Sequence, residues 1–255
     1  LNIPEKYIPR DYQIDAFVHA VRARRSLLLS PTASGKSFII YLLSRYYNAR
    51  TLIIVPTTSL VSQLASDFAD YGFASDRFVH RIFAGQDKQT DKLITISTWQ
   101  SIYKLPKEYF EQFDVVIGDE AHLFKAKSLI SILSKLDSCK YRFGFTGTLD
   151  GTQTHKLVLE GLFGSVRKVT STSDLIEQKH LADLKIKAIV LTYPDEIRKM
   201  IARSADYQSE IDYIVSLSAR NNFIKNLTLS LDGNTLLLFQ YVEKHGKLLY
   251  DLLKK

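Results

Sequence analysis

Ser26-Leu27-Leu28-Leu29-Ser30-Pro31-Thr32-Ala33-Ser34-Gly35-Lys36-Ser37 decides how the rest of the chain is read. A short apolar run stops at a turn of small residues, and a helix-period stretch follows through Tyr46. Such a turn lets backbone N–H groups wrap a phosphate, while a lysine reaches the outer oxygens and a hydroxyl serves Mg2+. Gly35, Lys36 and Ser37 supply these functions, and the N-terminus of the helix adds partial positive charge. Ser30 stands where the strict pattern has its first glycine. The competing reading is a small-residue turn that only caps a helix. The strand–loop–helix context favours an ATP phosphate cradle of Ser30, Pro31, Thr32, Ala33, Ser34, Gly35, Lys36 and Ser37.

A second stretch points to the same chemistry. Phe113-Asp114-Val115-Val116-Ile117 runs into Gly118-Asp119-Glu120-Ala121-His122. Two acids directly after a buried strand are costly unless they bind a cation or do chemistry. They would also favour the start of a following helix, which is the bland alternative. With Lys36 at another strand end, Asp119 is expected to hold the Mg2+ coordination sphere, usually through water. Glu120 is expected to polarise or deprotonate the attacking water.

Working outward, residues 51–55 read as a β-branched strand stopped by Pro56. Leu60, Leu64 and Phe68, with Val61 and Ala65 beside them, mark a helix face. Strand-like runs follow at 78–83, 93–96, 115–117 and 142–145, with helical stretches near 129–136 and 155–162. Near-continuous apolar strands between helices imply an α/β fold whose mostly parallel sheet is covered on both faces. Ligands in such sheets sit at the carboxyl ends of the strands. Beyond Gly151 the pattern loosens. Residues 185–191 read as a strand, and 195–231 as mostly helical with Tyr207, Ile211, Ile214 and Val215 on one buried face. A turn at Asp232-Gly233-Asn234 precedes a strand over 235–240 and a helix over 242–253.

Composition narrows the class. The 255 residues are 45% hydrophobic and 24% charged, an ordinary globular balance that excludes global disorder. No apolar run approaches the ~18–20 residues that span a bilayer, which excludes an integral membrane protein. The single cysteine, Cys139, removes an internal disulfide framework and fits a reducing, cytoplasmic compartment. A net charge of +7 leans toward a polyanionic partner, although a surplus of this size also occurs in proteins that never touch nucleic acid. The chain starts at Leu1, has Met200 as its only methionine and stops at Lys255, so a fragment is expected.

Read together, these segments resemble the first RecA-like domain of superfamily 2 helicases over roughly residues 5–180. Ser30–Ser37 corresponds to motif I, and Asp119-Glu120-Ala121-His122 spells the DEAH form of motif II. Gln13 falls where the family places an adenine-reading glutamine. The stretch from Val55 through Pro56 and Thr57 to Gln63 looks like motif Ia. Ile96-Ser97-Thr98-Trp99-Gln100-Ser101 looks like motif Ib, and Thr146-Gly147-Thr148 like motif III. Residues 236–249, with Phe239, Glu243, His245 and Gly246, resemble the opening of a second RecA-like domain. The branch is that of type I and III restriction motors and repair translocases. The domains implied are 1–180 as the P-loop RecA-like ATP-binding domain, 181–232 as a connecting strand and helical segment, and 233–255 as the start of the next domain.

The resemblance implies an ATP- and Mg2+-dependent DNA helicase or translocase that remodels branched DNA, acts as a monomer, and prefers DNA to RNA. Lys36, Asp119 and Glu120 would be catalytic, and Ser37 and Asp119 would serve Mg2+. His122, Thr146 and Thr148 would couple ATP state to nucleic-acid grip. Pro56, Thr57, Thr98 and Gln100 offer short hydroxyls, amides and backbone groups suited to sugar and phosphate contacts. Thr57 is equally a helix N-cap, Trp99 reads as core, and Arg22, Arg24 and Arg25 suit either nucleic acid or solvent. The family also uses motif VI arginines from a second domain, and nothing after Leu249 matches them. This chain alone is therefore expected to bind ATP–Mg2+ weakly and turn it over slowly, if at all. The competing functions are a DEAH-type RNA helicase, an ATP-gated binding module without turnover, and a metabolic P-loop kinase.

Overall fold

Seven short runs become strands because each finds a parallel neighbour. In the computed structural model, which describes residues 3–83, 85–123, 126–149, 153–182, 184–204 and 206–254, they are β1 (Arg25–Leu29), β2 (Thr51–Val55), β3 (Val79–Ile82), β4 (Ile94–Thr98), β5 (Val115–Gly118), β6 (Tyr141–Thr146) and β7 (Val166–Lys168). They form one sheet in the order β3-β4-β2-β5-β6-β1-β7, and every pairing is parallel. This sharpens the expected "mostly parallel" sheet to a wholly parallel one.

Alternation along the strands divides the core between two faces. Leu28, Ile53, Val55, Val115, Ile117, Phe143 and Phe145 face one side. There they pack under α1 (Asp11–Ala23), α2 (Lys36–Tyr47) and α3 (Thr58–Asp70). Leu27, Leu52, Ile54 and Val116 face the other, against Phe110, Leu129, Ile132, Leu159 and Phe163 from the remaining helices. The result is the three-layer arrangement that near-continuous apolar strands require. Gly144 on β6 is needed for this packing. A Cβ there would lie 2.7 Å from Leu27 Cδ1 and 2.8 Å from Phe163 Cδ2.

The chain divides into two compact units, Leu1–Leu184 and Lys185–Lys255. The second holds the helices Asp195–Ser204, Tyr207–Ser216 and Ser218–Leu229, then a π-helical turn Val242–Gly246 leading into Lys247–Lys254. Asn221 is its buried polar anchor. The Asn221 side-chain amide donates to the Val215 carbonyl at 2.8 Å, and its oxygen lies 3.1 Å from His245 Nε2.

Several expectations need correction. Residues 185–191 and 235–240 form no strand. Ile186, Val190, Leu236 and Leu238 are each more than 80% exposed. β-propensity is realised only against a ladder partner, and the second unit contains no strand among its described residues. Tyr207 is exposed, while Val215 on the same helix is buried. Val166–Lys168 was missed because two of its three residues are charged. Backbone pairing to β1 makes it a strand, with Leu27 opposite Val166. Among the described residues no helix is long and apolar enough to cross a membrane.

Candidate active site

The strand register gathers the polar motifs. Leu29 lies opposite Thr146 and Lys168, Gly118 opposite Ile54 and Gly144, and Val55 opposite Thr98. All these strands are parallel, so the loops after β1, β5, β6, β2 and β4 leave the sheet along one edge.

The loop after β1 is held open from within. Ala33 and Gly35 adopt left-handed backbone, with φ of 64° and 77°. Gly35 is the N-cap of α2, and a Cβ there would collide with the Gln13 amide. The Ser34 hydroxyl donates to the Pro31 carbonyl at 2.6 Å, so Ser30 is the donor in the 2.6 Å contact between the two serine hydroxyls. Ser30 is wholly buried, which shows what the departure from glycine does: its hydroxyl closes the loop on itself.

Lys36 and Glu120 meet across the edge at 2.6 Å, Nζ to Oε1. Glu120 has φ of 50°, a left-handed conformation that is strained for a residue with a side chain. The Glu120 backbone N–H donates to Asp119 Oδ1 at 3.0 Å. Asp119 is 9% exposed, and burial pushes its carboxyl up to about 6. Lys36 opposes that shift, while Glu120 and, more weakly, Asp67 add to it. A carboxylate so poorly compensated by the protein is a fitting ligand for a cation.

Residues 119–122 touch residues 146–148 through His122, whose Nδ1 lies 2.7 Å from Thr146 Oγ1 and 3.5 Å from Glu120 Oε2. The Thr146 hydroxyl donates its one hydrogen to the Thr148 carbonyl at 2.6 Å. It therefore accepts from the imidazole, which places the proton of His122 on Nδ1. Thr148 takes part through its carbonyl. Gly147 stands against the cradle: a Cβ there would lie 3.8 Å from both Lys36 Nζ and the Ser30 carbonyl.

Two expected ligand residues are engaged with protein. Gln13 Oε1 accepts from the Arg10 N–H at 3.0 Å, and Gln13 Nε2 donates to the Ser34 carbonyl at 2.9 Å. The Ser37 hydroxyl lies 2.8 Å from the Tyr71 hydroxyl. Tyr12 and Tyr71 were missed at the sequence level. Tyr12 donates to the Ser34 carbonyl at 3.0 Å, receives Arg10 Nη1 at 2.7 Å, and sits beside Gln13. Arg10, Asp11, Tyr12, Asp15, Gln178 and His180 line a cavity of 490 Å³ next to this loop. Tyrosine carries no motif signal here, because its role comes from neighbours distant in the chain.

Pro56, Thr57, Thr98 and Gln100 lie together at the ends of β2 and β4, where Gln100 Nε2 donates to the Pro56 carbonyl at 3.3 Å. They differ in access. Thr57 and Gln100 are exposed, whereas Pro56 and Thr98 are buried. The Thr98 hydroxyl is 2.8 Å from Ser101 Oγ. Thr57 Oγ1 accepts from the Leu60 N–H at 3.4 Å, a long capping contact at the start of α3. The cap and the exposed contact surface are thus the same residue. Trp99 is only partly buried, packed against Tyr103 with ring centroids 6.0 Å apart.

A family described as "Type III restriction enzyme, res subunit" matches residues 6–151. The chain is 40% identical to the ATP-dependent DNA helicase uvsW of Enterobacteria phage T4, over 96% of this chain and 51% of that protein. It is 28% identical to the DNA 3'-5' translocase XPB2 of Sulfurisphaera tokodaii, over 77% and 43% respectively. The chain thus spans about half the length of the curated relatives it matches. A crystal structure of T4 UvsW aligns with a TM-score of 0.60 at 39% identity, covering 97% of this chain and 50% of that one. The Sulfolobus solfataricus SWI2/SNF2 ATPase core in complex with dsDNA aligns at 0.59 and 16% identity, over 98% and 64%, and supports the fold alone.

Proposed function

This chain belongs to the family of type III restriction enzyme res subunits, within the superfamily 2 helicases, and we propose that it is the ATP-binding part of a DNA helicase or translocase acting on branched DNA. The observation that carries the reading is the Lys36–Glu120 contact at 2.6 Å beside the buried Asp119, on the edge where the cradle opens. Lys36 and the backbone of residues 30–37 would hold the ATP phosphates. Asp119 and Ser37 fit a Mg2+ ion, which would supply charge compensation for the phosphates. Glu120, displaced from Lys36 by the phosphates, would orient the attacking water and take its proton. His122 and Thr146 would pass the state of this site to the loop of residues 146–148.

DNA is favoured over RNA because the relatives at 40% and 28% identity are named as DNA helicase and DNA translocase. The exposed Thr57 and Gln100 suit backbone contacts that read no sequence. We take the protein to act as a monomer in the cytoplasm. Residues 1–180 would form the ATP-binding domain, 181–232 a connecting segment, and 233–255 the start of a second RecA-like domain. Binding of a fluorescent ATP analogue and of labelled branched DNA and RNA tests this reading. Lys36→Ala should lose the nucleotide, and branched DNA should bind more tightly than RNA of the same charge. Unchanged nucleotide affinity in Lys36→Ala refutes the site, and preferential RNA binding refutes the substrate class.

A further inference from the structure

Ser37 stands in the first turn of α2, and its hydroxyl meets Tyr71 at the C-cap of α3, 34 residues away, at 2.8 Å. Tyr71 does not swing freely. Its ring meets Tyr7 and Phe38 edge-on at centroid distances of 4.9 Å each, and it tilts against Tyr41 at 5.2 Å. Tyr71 is 9% exposed, and among the described residues Ser37 is the one hydrogen-bond partner of its phenol. Ser37 is only partly buried, so water can take its own proton. The phenol is then the donor, since a buried hydroxyl without an acceptor is costly and Ser37 Oγ is the acceptor within reach. A serine oxygen that receives the phenol proton commits one of its two lone pairs to tyrosine, so a cation beside Asp119 must share that oxygen with the phenol.

We propose that Tyr71 is a positioning residue that latches the Ser37 hydroxyl in competition with the metal, so that release of this contact sets the metal-dependent part of nucleotide affinity. The proposal rests on the reading of residues 30–37 as a Mg2+–nucleotide cradle. It adds a residue that no phosphate-loop pattern contains, because Tyr71 lies on a different helix and reaches Ser37 only through the fold.

The test is binding of N-methylanthraniloyl-ATP to the 255-residue chain, measured with Mg2+ and again with EDTA. Tyr71→Phe keeps the ring packing and removes the phenol. It should tighten binding in Mg2+ by about 3- to 10-fold, the range of one net hydrogen bond, and leave binding in EDTA unchanged. Adding Ser37→Ala to Tyr71→Phe should erase the gain. Tyr71→Leu should show the same Mg2+-specific gain at a lower melting temperature, which separates the latch from packing. Equal or weaker Mg2+-dependent binding in both tyrosine variants overturns the proposal. Lys36→Ala should weaken binding in both conditions. If it does not, the cradle reading fails, and that failure is distinguishable from failure of the latch.

Discussion

Thr51–Val55 lies between two parallel neighbours with every residue buried, whereas residues 185–191, a comparable run containing Ile186, Ile189, Val190 and Leu191, form no strand and stand exposed. Both runs carry strand-forming apolar residues, although Lys185 and Lys187 stand in the second. What separates them is the supply of partners: β4 and β5 flank the first run, and the second unit has no strand among its described residues. Side-chain burial follows from pairing, because a sheet face exists only once strands are joined. The proposed site depends on the same supply. Thr146, Asp119 and the cradle are brought together by register between strands, and none of them is local to another in the chain.

The contrast can be broken by substitution. Ile53→Ala in β2 removes a wholly buried side chain from the middle of the sheet and should cost about 3 kcal/mol in urea unfolding. A loss below about 1 kcal/mol would mean that the central strands are not the stability core. Asp119→Asn should act in the opposite direction in metal-free buffer. The Asp119 carboxyl is raised by burial to about 6 from 3.8, so the fold disfavours its ionised form. Stability from this group is full below about pH 4 and is lost as pH rises through 6. The asparagine variant should therefore exceed the wild type by about 1–3 kcal/mol at pH 7.5 and match it near pH 4. A gain that persists unchanged at low pH would assign the effect to something other than ionisation.

The second unit should answer more weakly and with the opposite slope. Burial, and then Arg220, hold the His245 imidazole below its ordinary value. Its contribution is present above about pH 6.5 and is lost as pH falls through the lower folded value. His245→Gln should flatten that acid dependence, read by hydrogen exchange in the helices of residues 207–229. The smallest effect belongs to Ile189→Ser. Ile189 is 53% exposed in an unpaired segment, so the change should stay within about 0.5 kcal/mol. A loss comparable to that of Ile53→Ala would show that residues 185–191 are covered in solution, and the contrast would collapse.

Much of the first unit was legible because its signals are local. An apolar strand, a small-residue turn and a lysine at the start of a helix lie within twelve consecutive residues, and the Asp119–Glu120 pair directly follows β5. Residues 166–168 were not legible, since an edge strand needs only backbone pairing and Arg167 and Lys168 carry no apolar pattern. The strand expected at 185–191 failed for the converse reason: the propensity was present and the partner was not. Of the four residues proposed for nucleic acid, only Thr57 and Gln100 reach the surface, and access of this kind depends on how a strand end is covered.

The sequence by itself determined which chemical groups are present and that most of them follow a strand, because periodicity and turn chemistry act over a few residues. The tertiary structure decided which groups meet. The order β2-β5-β6-β1 interleaves segments far apart in the chain, and this order sets Lys36 on Glu120 and His122 on Thr146. Packing of α3 beside α2 brings Tyr71 to Ser37. No local pattern encodes such adjacency, because it arises from the register and packing of elements that the sequence specifies only one at a time.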